Sequence, residues 1–87
     1  MSGTLGLMEK ALQKQSASDW ARMFGITSAT FTNAKARGHL SPALAGSLAM
    51  ELGENAEHWI AIAAIEGEKD SPLVRRLRKS QESWRKR

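Results

Sequence analysis

The chain has 87 residues, 41% of them hydrophobic, with 13 Lys+Arg against 9 Asp+Glu and a formal net charge of +4. That length holds one small domain, and the hydrophobic share argues against general disorder. There is no cysteine, which excludes a disulfide framework, a thiolate zinc site and a cysteine nucleophile.

The first predicted helix runs from about Leu5 to Lys14, with Leu5, Met8 and Leu12 on one face and Gly3 and Gly6 weakening its beginning. The second starts at Ser16, which stands at capping-box spacing from Asp19. It carries Trp20, Ala21 and Phe24 and ends at Gly25, a residue suited to a left-handed stop. The third runs from near Thr27 to about Arg37 and is stopped by Gly38. Ser41-Pro42 opens the fourth, because serine caps well and proline suits the first helical position. Leu44, Leu48 and Leu52 are spaced by four along it, and Gly53 closes it. The fifth follows Asn55 and runs to about Lys69. Its Trp59, Ile60, Ile62, Ala63 and Ile65 wrap most of the circumference, which predicts the central buried helix. Ser71-Pro72 opens the sixth, which sets a narrow stripe of Leu73, Val74, Leu77 and Trp84 between arginines.

The charge is unevenly spread. Residues 1–72 carry six bases and eight acids, whereas residues 73–87 carry seven bases and only Glu82 as an acid. The body is slightly acidic, and the positive charge belongs to the sixth helix. The longest apolar run, Trp59–Ile65, is far below the roughly 20 residues that span a bilayer. Met1–Lys10 lacks the basic and apolar regions of a signal peptide, so a cytoplasmic location is the expectation, with no membrane partner.

Helices two and three carry the functional signal. Ala21, Gly25 and Phe31 stand where a helix-turn-helix needs a small residue at the helix crossing, a left-handed turn and an apolar plug under the recognition helix. Trp20, Phe24, Ile26 and Ala34 fit the other inward positions. The expected fold is all-α: a compact five-helix helix-turn-helix domain over residues 1–70, then a basic sixth helix over residues 71–87.

With these residues in place, the stretch from about 5 to 68 resembles the Cro and CI-type phage repressor helix-turn-helix domains, the XRE-like superfamily. The run from Gly25 through Asn33 is similar to the family's turn and recognition helix, and Gly38 followed by Leu40-Ser41-Pro42 to its following loop and fourth-helix start. The continuation from Glu54-Asn55-Ala56-Glu57-His58-Trp59 into Glu66-Gly67-Glu68-Lys69 resembles a small phage-encoded subgroup, the filamentous-phage repressors. Two departures stand out: Ala34 sits where the family often has a large apolar residue, and one extra residue lies between Asn33 and Gly38.

The resemblance implies that Thr27 touches phosphate at the cap, and that Ser28, Ala29, Thr32 and Asn33 face the bases of the major groove. The chemistry suits this. Asn33 can pair with adenine N6 and N7, Ser28 and Thr32 can donate or accept, and the methyl groups of Thr32 and Ala29 can meet thymine. Lys35, Arg37 and His39 flank the helix as phosphate contacts, with Arg22 and Lys14 as weaker candidates.

Plainer readings stand beside these. Ser28, Thr30 and Thr32 could form a merely solvated face, and His39 could be an ordinary loop residue. Trp20 and Trp59 read as core, and Glu66, Glu68 and Asp70 as a solvated helix end. Two histidines without cysteine make no metal site, and no catalytic constellation points to an enzyme, a cofactor or a small-molecule substrate. For the sixth helix, Leu73, Val74, Leu77 and Trp84 suggest a dimer contact or packing on helix five. Its bases, Arg75 and Arg78 among them, suggest phosphate contact; a membrane-surface helix and a disordered tail are the remaining readings.

The sequence thus predicts a sequence-specific repressor that binds double-stranded operator DNA as a homodimer, and the resemblance implies phage lysogeny or immunity control. With no room for a ligand domain, control is expected from protein level or from an anti-repressor protein. The alternatives are an antitoxin repressing its own operon, with a toxin as partner, or a protein-interaction module that binds no DNA.

Overall fold

The computed structural model describes residues 3–85, with side chains over residues 3–81. Among them are six helices and no strand: α1 (Thr4–Lys14), α2 (Ala17–Phe24), α3 (Ala29–Arg37), α4 (Pro42–Glu51), α5 (Ala56–Glu66) and α6 (Pro72–Arg85). The domain is all-α and compact.

Serine and asparagine set most of the starts. Ser16 Oγ accepts from the Asp19 amide at 3.1 Å, Ser41 Oγ from Leu44 at 3.2 Å, Asn55 Oδ1 from His58 at 3.0 Å and Ser71 Oγ from Val74 at 3.1 Å. Each satisfies an amide that has no partner within its own helix. The Asp19 carboxylate does not complete a capping box; it pairs with Arg22 at 3.3 Å, one turn on.

The core joins Leu7, Met8 and Ala11 of α1 to Trp20 and Ala21 of α2, Phe31 and Ala34 of α3, and Leu40 beyond it. Leu44, Ala45, Leu48 and Ala49 of α4 and Ala63 of α5 complete it. Trp20 is fully enclosed, and its indole N–H donates to the Ala11 carbonyl at 2.8 Å, so the polar end of the ring carries no desolvation penalty.

Three expectations about packing are corrected. The inward face of α1 is Thr4, Leu7, Met8 and Ala11; Leu5 is half-buried and Leu12 is exposed. Helix α5 does touch α4, α6 and α1, but the most buried helix is α4, which encloses Leu44, Ala45, Gly46, Leu48 and Ala49. Small residues explain this: Gly46 lets α5 approach so closely that a Cβ there would lie 2.7 Å from Ile60 Cγ1. Helix α5 buries Ile62, Ala63 and Ile65 but leaves Ile60 42% exposed. It also ends at Glu66 rather than near Lys69, with Gly67 as its cap.

Glu66 is not a solvated helix end. Its carboxylate receives the Thr4 hydroxyl and the Thr4 amide, the latter at 3.1 and 3.3 Å to its two oxygens. The Thr4 hydroxyl in turn accepts from the Leu40 amide at 2.8 Å. A negative charge at the positive end of α1 is favourable, and it stands in for a local cap. Gly3 has φ +80°, and a Cβ on it would stand 2.0 Å from Glu66 Oε2, so glycine is needed there for handedness and for space. On the far side of α1, Lys10 hydrogen-bonds Glu54, and Lys14 donates to the Glu51 carbonyl at 3.2 Å. Lys14 is thus engaged within the fold.

Candidate nucleic-acid interface

The α2–turn–α3 unit is held from below. Ala21, Phe31 and Ala34 are buried, and Trp20 and Phe24 stack with ring centroids 5.6 Å apart and planes tilted by 31°. Gly25 adopts the left-handed conformation at φ +71°. The Ile26 amide then reaches back to the Ala21 carbonyl at 2.9 Å, and the Gly25 amide to Arg22 at 3.4 Å. This double closure is a Schellman stop, which fixes the direction in which the chain leaves α2. Gly38 repeats the left-handed conformation after α3, at φ +90°.

Helix α3 begins at Ala29, two residues later than predicted. Thr27 lies outside it, and Ser28 has right-handed helical backbone angles but makes no side-chain capping bond. The Thr30 and Phe31 amides bond the carbonyls of Thr27 and Ser28, each at 3.1 Å, giving a tightened first turn.

The sequence-predicted base-facing residues come together on one surface. Ser28, Ala29, Thr32 and Asn33 are all exposed, opposite buried Phe31 and Ala34. Ala29, Thr32 and Asn33 fall at i, i+3 and i+4, and exposed Ala36 at i+7 extends the same face. Ala36 was missed because a lone alanine gives no chemical signal, although its register alone places it there. No charged side chain interrupts the face between Ser28 and Asn33. Among the described residues, Ser16, Ser41 and Ser71 cap helices and Ser47 and Ser80 bond carbonyls one turn back, whereas Ser18 is exposed like Ser28.

The predicted phosphate contacts are placed unequally. Thr27, Lys35 and Arg37 are exposed around α3, with both bases in its last turn. Arg22 is exposed and shared with Asp19; such a surface pair contributes little and yields readily to another anion. His39 is half-buried, with Nδ1 3.2 Å from the Leu40 carbonyl and its ring beside Gly67, so it belongs to the seam between the α3–α4 loop and the end of α5.

Ile26 does not join the core. It is 38% exposed and lines a shallow groove with Phe24, Thr30, Ser41, Ala43, Leu44 and Ser47. The left-handed turn at Gly25 carries it past the end of α2 and over the start of α4.

Helix α6 packs on α5 through Val74, which is buried. Leu73 and Leu77 are left 72% and 41% exposed, while Arg75 and Arg78 each lie 3.8 Å from Asp70. The Trp84 side chain lies outside the described residues. Among the described residues no group of acids and histidines could hold a metal ion, and no helix is long and apolar enough to cross a membrane.

No known protein family, curated protein or solved structure matches the chain.

Proposed function

We propose that the protein is a sequence-specific DNA-binding repressor that acts as a homodimer on a palindrome-like operator. The observation that carries this reading is the exposed, uncharged face of Ser28, Ala29, Thr32 and Asn33 on a helix held from below by Phe31 and Ala34 and entered through a Schellman turn. Ser, Thr and Asn have modest helix propensity, so a merely solvated surface would favour Glu or Lys. On a recognition helix these short side chains bring the backbone close to the base edges, where Asn33 pairs with adenine and the methyl groups meet thymine.

Lys35, Arg37 and Thr27 flank this face and would hold the DNA backbone, which positions the helix without reading sequence. One such unit reads too few bases to find a site alone. Two related by a two-fold axis place their recognition helices about 34 Å apart in successive major grooves. Occupying a promoter then blocks transcription. Phage lysogeny or immunity control rests on the sequence resemblance alone.

The test is a gel shift at about 150 mM salt, comparing the gene's own upstream region with random duplex of equal length, under conditions where general affinity is weak. Preferential retention of the upstream region is expected. Equal binding of both duplexes would overturn the reading.

A further inference from the structure

The homodimer proposed above requires a surface, and the exposed faces of α5 and α6 differ from the rest of the domain. Ile60, Leu73 and Leu77 are three of the seven exposed large hydrophobic side chains among the described residues, and all lie on this one pair of packed helices. Between them α5 presents alanines: Ala61 is half-buried and Ala64 exposed. Ile60, Ala61 and Ala64 share one outer face of α5 by register, and Leu73 and Leu77 stand one helical turn apart on α6.

The charges of the two helices are opposite. Helix α5 and the turn after it carry Glu57, Glu66, Glu68 and Asp70 against Lys69 alone, while α6 carries Arg75, Arg76, Arg78, Lys79 and Arg85 against Glu82. Asp70 already meets Arg75 and Arg78, and Glu66 is committed to Thr4. Glu57 and Glu68 on one side and Arg76 and Lys79 on the other remain exposed. Val74 anchors α6 to its own α5, so the helix stays with its domain and presents its leucines outward.

We infer that the α5–α6 face binds a second copy of this chain, with α6 of each protomer lying along α5 of the other. The contact is isologous: each copy gives a basic, leucine-bearing ridge and receives one on an acidic, alanine-bearing strip. Leu73 and Leu77 then cover Ala61, Ala64 and Ile60 of the mate, and Arg76 and Lys79 approach Glu57 and Glu68. Like-charged ridges are kept apart, which sets the orientation of the two copies. The inference rests on the repressor reading only in that the dimer supplies its second recognition helix.

Sedimentation velocity of the full chain across a concentration series tests it. Wild type is expected to dimerise, and Leu73→Glu/Leu77→Glu and Ile60→Glu each to raise the dissociation constant at least tenfold. Met23→Glu and Met50→Glu alter exposed apolar residues on α2 and α4 and should leave association unchanged. Circular dichroism melts confirm that the variants fold. Arg76→Glu should weaken the dimer, and adding Glu57→Arg should restore part of the loss. A wild type that stays monomeric, or a dimer broken by Met50→Glu but not by the leucine variant, overturns the inference.

The two readings separate in the same samples. A monomeric leucine variant that still prefers an operator half-site, with lower affinity for the full site, supports both. A monomeric wild type that prefers its own upstream region removes this interface and leaves the repressor. A dimer with the expected mutational pattern and no duplex preference does the reverse.

Discussion

Thr4 and Glu66 stand 62 positions apart and meet through the threonine amide and hydroxyl, which both donate to the one carboxylate. The same hydroxyl accepts from Leu40, so the start of α1, the end of α5 and the loop after α3 are tied at a single fully buried side chain. Thr4→Val keeps the shape but strands the Leu40 amide and removes a donor from Glu66. A loss of about 1–3 kcal/mol is expected for the stranded buried amide, read by urea unfolding. Glu66→Gln should cost less, because an amide oxygen still accepts but no longer brings a charge to the α1 terminus.

The two glycines with the least room behave differently from Gly25. Ala at Gly25 meets nothing within 4 Å, so its cost is backbone strain alone, about 1–2 kcal/mol. Ala at Gly3 adds the collision with Glu66 to the same strain. Ala at Gly46 is free of backbone strain but pushes Ile60 outward, an overpacking cost of about 1–3 kcal/mol. Thermal melts of the three variants should therefore place Gly3→Ala lowest.

Asn33→Ala and Thr32→Ala alter exposed positions, so stability should hold within about 0.5 kcal/mol. Operator preference should fall by about 1–3 kcal/mol when Asn33 can no longer pair with adenine, while weak binding to random duplex persists. Competition gel shifts read both quantities. Normal operator binding by both variants would move the recognition face elsewhere on the domain.

The Glu54 carboxyl is held below the usual carboxylate range, first by its hydrogen bond from Lys10. The Trp59 indole at 3.4 Å and the charges of Lys10 and His58 act the same way, against the opposing effect of desolvation. Its folded value lies below the unfolded one, so the stabilisation is complete above the ordinary carboxylate value and is lost as pH falls through the folded value. Both partners are partly open to solvent, so the effect is that of a surface pair, about 0.2–1 kcal/mol. Glu54→Gln should remove this step from the acid limb of the stability curve, and salt should blunt it in the wild type.

Removal of residues 80–87 takes away Arg85, Lys86 and Arg87. If these bases touch phosphate, the slope of log binding constant against log salt falls by about 0.9 for each phosphate no longer neutralised. An unchanged slope with weaker self-association would assign the segment to the dimer instead. Titrations at several salt concentrations, paired with sedimentation, distinguish the outcomes.

Local chemistry made much of this fold legible. The Ser-Pro pairs, Asn55 and the glycines at 25 and 38 mark helix ends through bonds made within four or five residues, and those ends stand where expected. The spacing of Ala21, Gly25 and Phe31 located the α2–α3 unit, and register alone brought Ser28, Ala29, Thr32 and Asn33 to one surface. What escaped depends on long-range partners. Nothing near Glu66 in the chain announces Thr4, and apolar content placed α5 at the centre when the small side chains of α4 decide the closest approach. Ile26 reads as core by composition, yet the left-handed turn before it points it along the surface. Val74 and Leu73 are neighbours in one stripe, and only the docking of α6 shows that the first goes in and the second stays out.

Helix α3 lies between two left-handed glycines, and its far end is anchored two residues later, where Leu40 bonds Thr4. A residue inserted or deleted between Asn33 and Gly38 would turn everything beyond it by about 100° around the helix axis. The loop cannot absorb that rotation while Leu40 stays pinned. In this chain a length change here should therefore cost stability unless the Leu40–Thr4 anchor moves with it, whereas substitution at Ser28, Ala29, Thr32, Asn33 and Ala36 changes the exposed face and leaves the anchor in place. The turn chemistry acts as a reading-frame lock on the exposed α3 face that we propose for DNA.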